Sequence, residues 1–207
     1  APALAALAAL RTGIDIVTVC SPEKVAWAIN SFSPDIITKK FLGEEFDLTH
    51  CKEIISMSEK FDVVLIGNGL GINKEFVLKL LREIKKPFVI DADAIKVISL
   101  EIPTKSILTP HAKEFEILFK NTLKNINYDE IDMENNIKNL QRVIGDNVIL
   151  LKGQTDTIFT KHRRTYNKTG NNSMTKGGTG DILAGLCAGY LAQTNDLFES
   201  AVQAAYV

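Results

Sequence analysis

An α/β fold with a mostly parallel central sheet, covered on both faces, is predicted by three observations. Short apolar runs alternate along the chain with segments of helical periodicity. The runs at 63–66, 88–90 and 148–151 are apolar throughout, so both faces of such strands are expected to be buried. The residues with chemical potential fall just after strand ends: GNGLG at 67–71, DADA at 91–94, TPH at 109–111, KG at 152–153 and GGTGD at 177–181. Open α/β sheets bind ligands at their carboxyl edge, so one cleft collecting all five is the economical expectation.

The elements follow in order. Ala1 to Leu10 is Ala- and Leu-rich, a strong helix former stopped by Gly13. Ile14 to Cys20 is a β-branched run and reads as a strand. Ser21-Pro22-Glu23 reads as a helix start, with Ser as N-cap and Pro at the first position, running to about Asn30. Ile36-Ile37-Thr38 is a candidate short strand, and Thr49 to Glu59 a helix. Phe61 to Ile66 is a buried strand entering the glycine segment, and a helix covers Lys74 to Ile84. Pro87 to Ile90 is a strand ending in DADA, with a helix over Ile95 to Leu100. Ser106 to Leu108 is a short strand, followed by a helix over Lys113 to Phe119. The polar, Asn-rich stretch 121–136 leads into a helix ending near Ile144. Val148 to Leu151 is a buried strand. Asp156 to Thr160 and Arg163 to Asn167 resemble a hairpin, although its turn, Lys161-His162, has no glycine. Ile182 to Ala192 reads as a buried helix, and Phe198, Ala201, Val202 and Ala205 continue a helical pattern to the end.

With 207 residues the chain can bury a sizeable core, and one domain over 1–207 is the default. A net charge of −1 gives no general attraction to nucleic acid or to an anionic membrane. No apolar run reaches transmembrane length. Cys20, Cys51 and Cys187 are scattered, with no CxxC or Cys/His cluster, so neither a disulfide framework nor a zinc site is indicated. A reducing cytoplasm is the simplest compartment, with Cys187 in the core. His50 and His162 have no evident partners and read as surface residues. The apolar opening without a Met, and a helical pattern running to Val207, suggest a chain lacking pieces at both ends.

The chemistry centres on Lys176-Gly177-Gly178-Thr179-Gly180-Asp181, followed at once by the apolar helix. A glycine-rich loop feeding a helix N-terminus is an anion site, because unpaired N–H groups and the positive dipole end point the same way. A lone Asp before an apolar helix ordinarily caps or charges the first turn. Beside an expected phosphate it is better suited to taking a proton from an attacking hydroxyl. Neither a Walker loop nor a dinucleotide fingerprint is present. Lys152 reads either as a solvated charge at a strand end or as a ligand group helped by the backbone access at Gly153. His111 on its own is a capping or solvated histidine. Asp91 and Asp93 either cap the next helix or sit near a metal and phosphates.

Val64 to Gly71, Val89 to Ala94, Leu108 to His111 with Glu114-Phe115, Leu151 to Gly153, and Asn167 to Leu186, in this order and spacing, resemble the ADP/ATP-dependent NAD(P)H-hydrate dehydratase family. The resemblance covers nearly the whole chain and implies a ribokinase-like three-layer α/β/α sandwich. Three departures stand out. Ala112-Lys113 follow TPH where members often have Pro and Gly, Lys168 stands where many carry Pro, and the glycine-rich lead-in before Ala1 is absent.

The resemblance implies repair of the S-epimer of NADHX or NADPHX, the hydrated cofactors. The hydroxyl at C6 of the nicotinamide ring is phosphorylated by ADP or ATP, and loss of phosphate restores the double bond. Asp181 would be the general base, and the N–H groups around Gly178, Thr179 and Gly180 would hold the phosphate. The rest of the nucleotide would lie along Lys152, Gly153, Gln154, Thr155 and Asp156 and the segment from Asn171 onward. The hydrated cofactor would contact Ala1, Gly71, His111, Glu114 and Asp181. Mg²⁺ would neutralise the nucleotide's phosphates. Resemblance to prokaryotic members favours ADP as donor. Relatives commonly form tetramers, and many are fused to an epimerase domain, so a homotetramer and a fused or separate epimerase partner are expected possibilities. A vitamin-precursor kinase of the same fold, acting on a hydroxymethylpyrimidine, thiazole or pyridoxal, is the main alternative. A catalytically silent nucleotide-binding protein is another. The GNGLG and TPH–EF segments favour the dehydratase over the kinase. The carboxylate at 181 argues against the silent binder, which would gain little from an anion beside phosphate.

Overall fold

A computed structural model describes residues 1–170 and 176–207 of the chain. Helix α1 (Pro2–Arg11) has proline in its first turn, where a missing N–H costs nothing. The strand expected at Ile14 to Cys20 is displaced: β1 is Thr18–Pro22. Its extent is set by its partner β2 (Ile37–Phe41), which pairs with it in parallel from Thr18↔Ile37 to Pro22↔Phe41. Pro22 therefore closes the strand and occupies the cap position of α2 (Glu23–Phe32), instead of being its first helical residue. Helix α3 (Cys51–Ser58) follows. His50, read from sequence as a surface residue, is only 13% exposed in its side chain. It packs edge-on to Phe41 and Phe46, with centroids 5.4 and 5.8 Å away, and its Nδ1 accepts the Asp47 N–H.

The main sheet has six strands in sequential order: β3 (Val64–Ile66), β4 (Phe88–Ile90), β5 (Ser106–Leu108), β6 (Val148–Leu151), β7 (Asp156–Phe159) and β8 (Arg164–Asn167). The first four are parallel, and β7 and β8 are added antiparallel as the expected hairpin. Its turn closes without glycine because the Thr160 hydroxyl accepts the N–H groups of His162 and Arg163.

Alternation along the strands divides the core between two faces. Ile66, Phe88, Ile90, Leu108, Ile149, Leu151 and Phe159 pack with α3, α4 (Lys74–Glu83), α5 (Ala92–Ile95), α6 (Ala112–Thr122) and α7 (Met133–Gln141). Val89, Ile107, Val148, Leu150 and Ile158 pack with α8 (Thr179–Thr194) and α9 (Leu197–Tyr206). These are the two outer layers of a three-layer sandwich. The crossovers between the parallel strands lie on one face, as consecutive right-handed connections require.

One helix differs from expectation. Instead of Ile95 to Leu100, α5 spans Ala92–Ile95. The Asn121 side chain binds the carbonyls of Lys96 and Ile98, and the Thr122 hydroxyl accepts the Leu100 N–H. Backbone groups that a longer helix would need are thus tied to α6.

Helix α8 begins three residues earlier than the apolar run suggests, at Thr179. It lies against α1 at very short range. A Cβ on Gly185 would come within 2.1 Å of the Ala5 carbonyl oxygen, and one on Gly189 within 2.3 Å of the Thr12 hydroxyl. Two glycines four residues apart, facing the small residues of α1, permit this approach. No helix among the described residues is long and apolar enough to cross a membrane.

Candidate active site

The turn after β3 sets the floor of the site. Gly67 has φ 120°, and a Cβ there would lie 1.8 Å from the Asp91 carbonyl oxygen, so only glycine fits. The tight turn delivers the next side chain, Asn68, between two carboxylates. Its Nδ2 donates to Asp91 Oδ2 at 2.9 Å and to Asp181 Oδ1 at 2.7 Å. Ionised carboxylates only accept, so the amide orientation follows from its neighbours. The Asn68 Oδ1 is buried without a hydrogen-bond partner among the described residues. An unpaired buried acceptor costs about 1–3 kcal/mol.

Asp91, at the end of β4, is 2% exposed and links four strand ends. Besides Asn68 it accepts the Thr109 hydroxyl at 2.7 Å and the Lys152 ammonium at 3.0 Å, both on Oδ1. Of the two sequence readings of Asp91, its side chain makes no helix-capping bond. Lys152 leaves the end of β6, where its own N–H is held by the Pro110 carbonyl. Its ammonium also lies 3.9 Å from Glu114 Oε2. A Cβ on Gly180 would meet that ammonium at 3.4 Å, which places it beside the first turn of α8. The reading of Lys152 as a solvated surface charge is therefore set aside.

His111 and Glu114 form a reciprocal cap at the start of α6. The His111 Nδ1 accepts the N–H groups of Lys113 and Glu114, and Glu114 Oε2 accepts the His111 N–H at 3.0 Å. The cap stands although Pro and Gly are replaced by Ala112-Lys113. Asp93 takes the Gly71 N–H at 3.0 Å and the Lys96 ammonium at 2.7 Å. The bond to Asp93 holds the Lys96 ammonium above its ordinary range.

At the start of α8, Gly178 is the N-cap with φ 95°. The first intrahelical bond to reach its carbonyl comes from Ile182. The N–H groups of Gly180 and Asp181 therefore precede any intrahelical acceptor and face the same end as the helix dipole. Thr179 closes the turn by donating its hydroxyl to the Lys176 carbonyl. Asp181 is partly buried, in the first turn of the helix. Behind it, Cys187 is fully buried; burial first, and the charge of Asp91 next, push its thiol pKa up, leaving it inert.

The structure thus joins Asp181, Gly178, Thr179, Gly180, Lys152, Glu114 and His111 at one sheet edge. Ala1 belongs to the same edge, since a Cβ on Gly69 would lie 3.3 Å from the Ala1 Cβ. Gly71 sits on the rim, exposed. Gly153, Gln154 and Thr155 form an exposed turn after β6. Asp156 braces that turn, with Oδ1 on the Gly153 N–H and Oδ2 on Asn167. The expected nucleotide segment from Asn171 to Thr175 lies outside the described residues. A groove of about 1000 Å³ lined by Lys86, Lys105 and Arg163 lies at the opposite edge and contains none of these groups. Asn68 and Thr109 were not singled out from sequence. Their only signal was membership of the GNGLG and TPH segments.

The sequence profile described as NAD(P)H-hydrate dehydratase matches residues 1–207. The chain belongs to the NAD(P)H-hydrate dehydratase family. It is 38% identical over its whole length to a bifunctional NAD(P)H-hydrate repair enzyme Nnr from Pyrobaculum aerophilum, covering 42% of that protein. The chain therefore spans about two fifths of the length of such bifunctional relatives. It is 33% identical to an ADP-dependent (S)-NAD(P)H-hydrate dehydratase from Cenarchaeum symbiosum, again over the whole chain and 73% of the relative. Among solved structures, an ADP/ATP-dependent NAD(P)H-hydrate dehydratase from Bacillus subtilis, co-crystallised with ATP/Mg²⁺ and soaked with CoA, superposes with a TM-score of 0.77. That match covers 99% of this chain and 74% of the other at 24% identity, and it shows a shared fold.

Proposed function

We propose that the chain dehydrates the S-epimer of hydrated NADH and NADPH, with ADP as the phosphate donor and ATP as the alternative. The observation that carries this reading is the placement of Asp181. It stands in the first turn of α8, where the Gly180 and Asp181 N–H groups have no intrahelical acceptor, with one oxygen held by Asn68. The C6 hydroxyl of the hydrated nicotinamide attacks the terminal phosphorus of the nucleotide, and its proton passes to Asp181. The new O–P bond replaces the bond to the departing nucleotide. The phosphate ester then breaks at its C–O bond, the neighbouring ring carbon gives up a proton, and the double bond returns. Catalysis of the transfer rests on positioning and on charge neutralisation. The N–H groups of the α8 N-terminus are the donors for the transferred phosphate. Lys152 lies next to Gly180, and Gly153 to Asp156 form the turn for the rest of the nucleotide. Ala1, Gly71, His111 and Glu114 flank the space for the hydrated ring and its attached dinucleotide.

Among the described residues the lysine partners of Asp91, Asp93 and Glu114 are Lys152 and Lys96, and Asp181 is a fourth carboxylate beside them, so the site carries more acidic than lysine side chains. A nucleotide polyphosphate entering it needs a cation. Among the described residues no three His, Cys, Asp or Glu side chains converge as metal ligands. That fits Mg²⁺ arriving on the nucleotide, held by phosphates and water with at most one or two carboxylates. Mg²⁺ would supply neutralisation of the phosphate charge. A cytoplasmic location accords with the free thiols of Cys20, Cys51 and Cys187. An epimerase, fused or separate, would convert the other epimer into substrate.

The test is direct. The protein is mixed with hydrated NADH, Mg²⁺ and either ADP or ATP, and the return of reduced-nicotinamide absorbance is followed. Recovery with ADP at the higher rate is expected. No recovery with either nucleotide overturns the assignment and favours a kinase of the same fold.

A further inference from the structure

We propose that Asn68 is a positioning residue: its amide fixes the carboxylate of Asp181 in the orientation that receives the substrate proton and ties it to the buried Asp91–Lys152 pair. This rests on the reading of Asp181 as the base. Three observations carry it. Both protons of the Asn68 amide are committed to carboxylates, at 2.7 Å to Asp181 Oδ1 and 2.9 Å to Asp91 Oδ2. Asp181 is therefore held through one oxygen, and Oδ2 is the oxygen not engaged by Asn68. Second, the tether comes from a turn that cannot drift. Gly67 is pressed against the Asp91 backbone, so the residue after it has little freedom. Third, the remaining Asn68 polar atom, Oδ1, is buried without a partner among the described residues. A side chain serving the fold alone would be expected to satisfy all its polar atoms.

The chain of contacts runs from Asp181 through Asn68 to Asp91, Lys152 and Thr109. The α8 carboxylate is thereby referenced to four strand ends. A base on a helix end that frays by even an ångström loses much of its rate, and a donor held in the tight turn after β3 prevents that.

The experiment compares steady-state kinetics of the wild type, Asn68→Ala, Asn68→Asp, Asp181→Asn and the double variant Asn68→Ala/Asp181→Asn, with hydrated NADH, ADP and Mg²⁺. Thermal unfolding serves as the check on folding. Asn68→Ala is expected to lower kcat by about tenfold or more, with KM for the hydrated cofactor within about threefold. Asn68→Asp keeps the shape but turns oxygens toward both carboxylates, so it should fall at least as far. In the Asp181→Asn background the Asn68→Ala change should cost less than about twofold, because a residue acting through Asp181 has nothing left to position.

A near-wild-type kcat for Asn68→Ala overturns the proposal. So does an undiminished loss in the Asp181→Asn background, or an Asn68→Asp variant that works while Asn68→Ala does not. If Asn68→Ala fails to fold, Asn68→Ser, which keeps one donor and nearly the same volume as Ala, takes its place with the same expectation of a reduced kcat. A wild type without turnover, or an Asp181→Asn variant at full rate, overturns the base assignment and the positioning role together. An active wild type with a silenced Asp181→Asn and a normal Asn68→Ala overturns the positioning role alone.

Discussion

Asp91 shows how much of this site depends on single side chains. Its carboxylate is almost wholly removed from water and is balanced by Lys152, Thr109 and Asn68. Removing the ammonium by Lys152→Met leaves that charge buried and uncompensated. We expect a loss of about 2–3 kcal/mol in denaturant unfolding, together with weaker nucleotide binding. An unchanged midpoint would show that Asp91 does not rely on Lys152. Lys152 was legible in the sequence as a candidate because it follows a strand and precedes a glycine. Asn68 was not, because its partner Asp181 lies 113 residues away and local sequence carries no sign of that meeting. His111 was legible only in part. Its role as a helix cap follows from Glu114 three residues later, whereas any ligand contact had to come from the family resemblance.

At the scale of elements, the base is only as well placed as helix α8. That helix is seated by α1, whose Ala5 and Ala9 face Gly185 and Gly189. Gly185→Ala would force a methyl group into the Ala5 carbonyl, 2.1 Å away. The expected cost is about 2–3 kcal/mol from overpacking, with a fall in turnover as the α8 N-terminus shifts. Chemical unfolding and steady-state rates measure the two effects, and a variant as stable as wild type would contradict the close packing. Helices and strands with strong apolar patterns were legible from sequence to within a few residues. The exceptions have long-range causes. The start of β1 is fixed by pairing with β2, and α5 is cut short because Asn121 and Thr122 of α6 claim its backbone. The GGTGD segment was legible as a loop meeting a helix. Of its glycines Gly180 lies inside α8 and Gly178 caps it; an apolar run starting at Ile182 gives no sign that Thr179 and Gly180 are helical.

Across the whole molecule, sequential parallel strands deliver Gly67, Asp91, Thr109 and Lys152 to one edge, and α8 returns on the opposite face to bring Asp181 to the same place. This convergence was legible because each motif follows a strand, and the topology rules for open sheets do the rest. A ligand that binds only this assembled edge must stabilise the fold. ADP or ATP with Mg²⁺, at about 100 times its dissociation constant, is expected to add about 2.7 kcal/mol and raise the unfolding temperature. Absence of a shift with either nucleotide would count against the edge as a nucleotide site. The most direct test of the account is the turnover of hydrated NADH by Asp181→Asn, measured beside that nucleotide-induced shift. The account predicts a shift like that of the wild type and a rate lower by about 100-fold or more. A variant that binds nucleotide and turns over at the wild-type rate would contradict it.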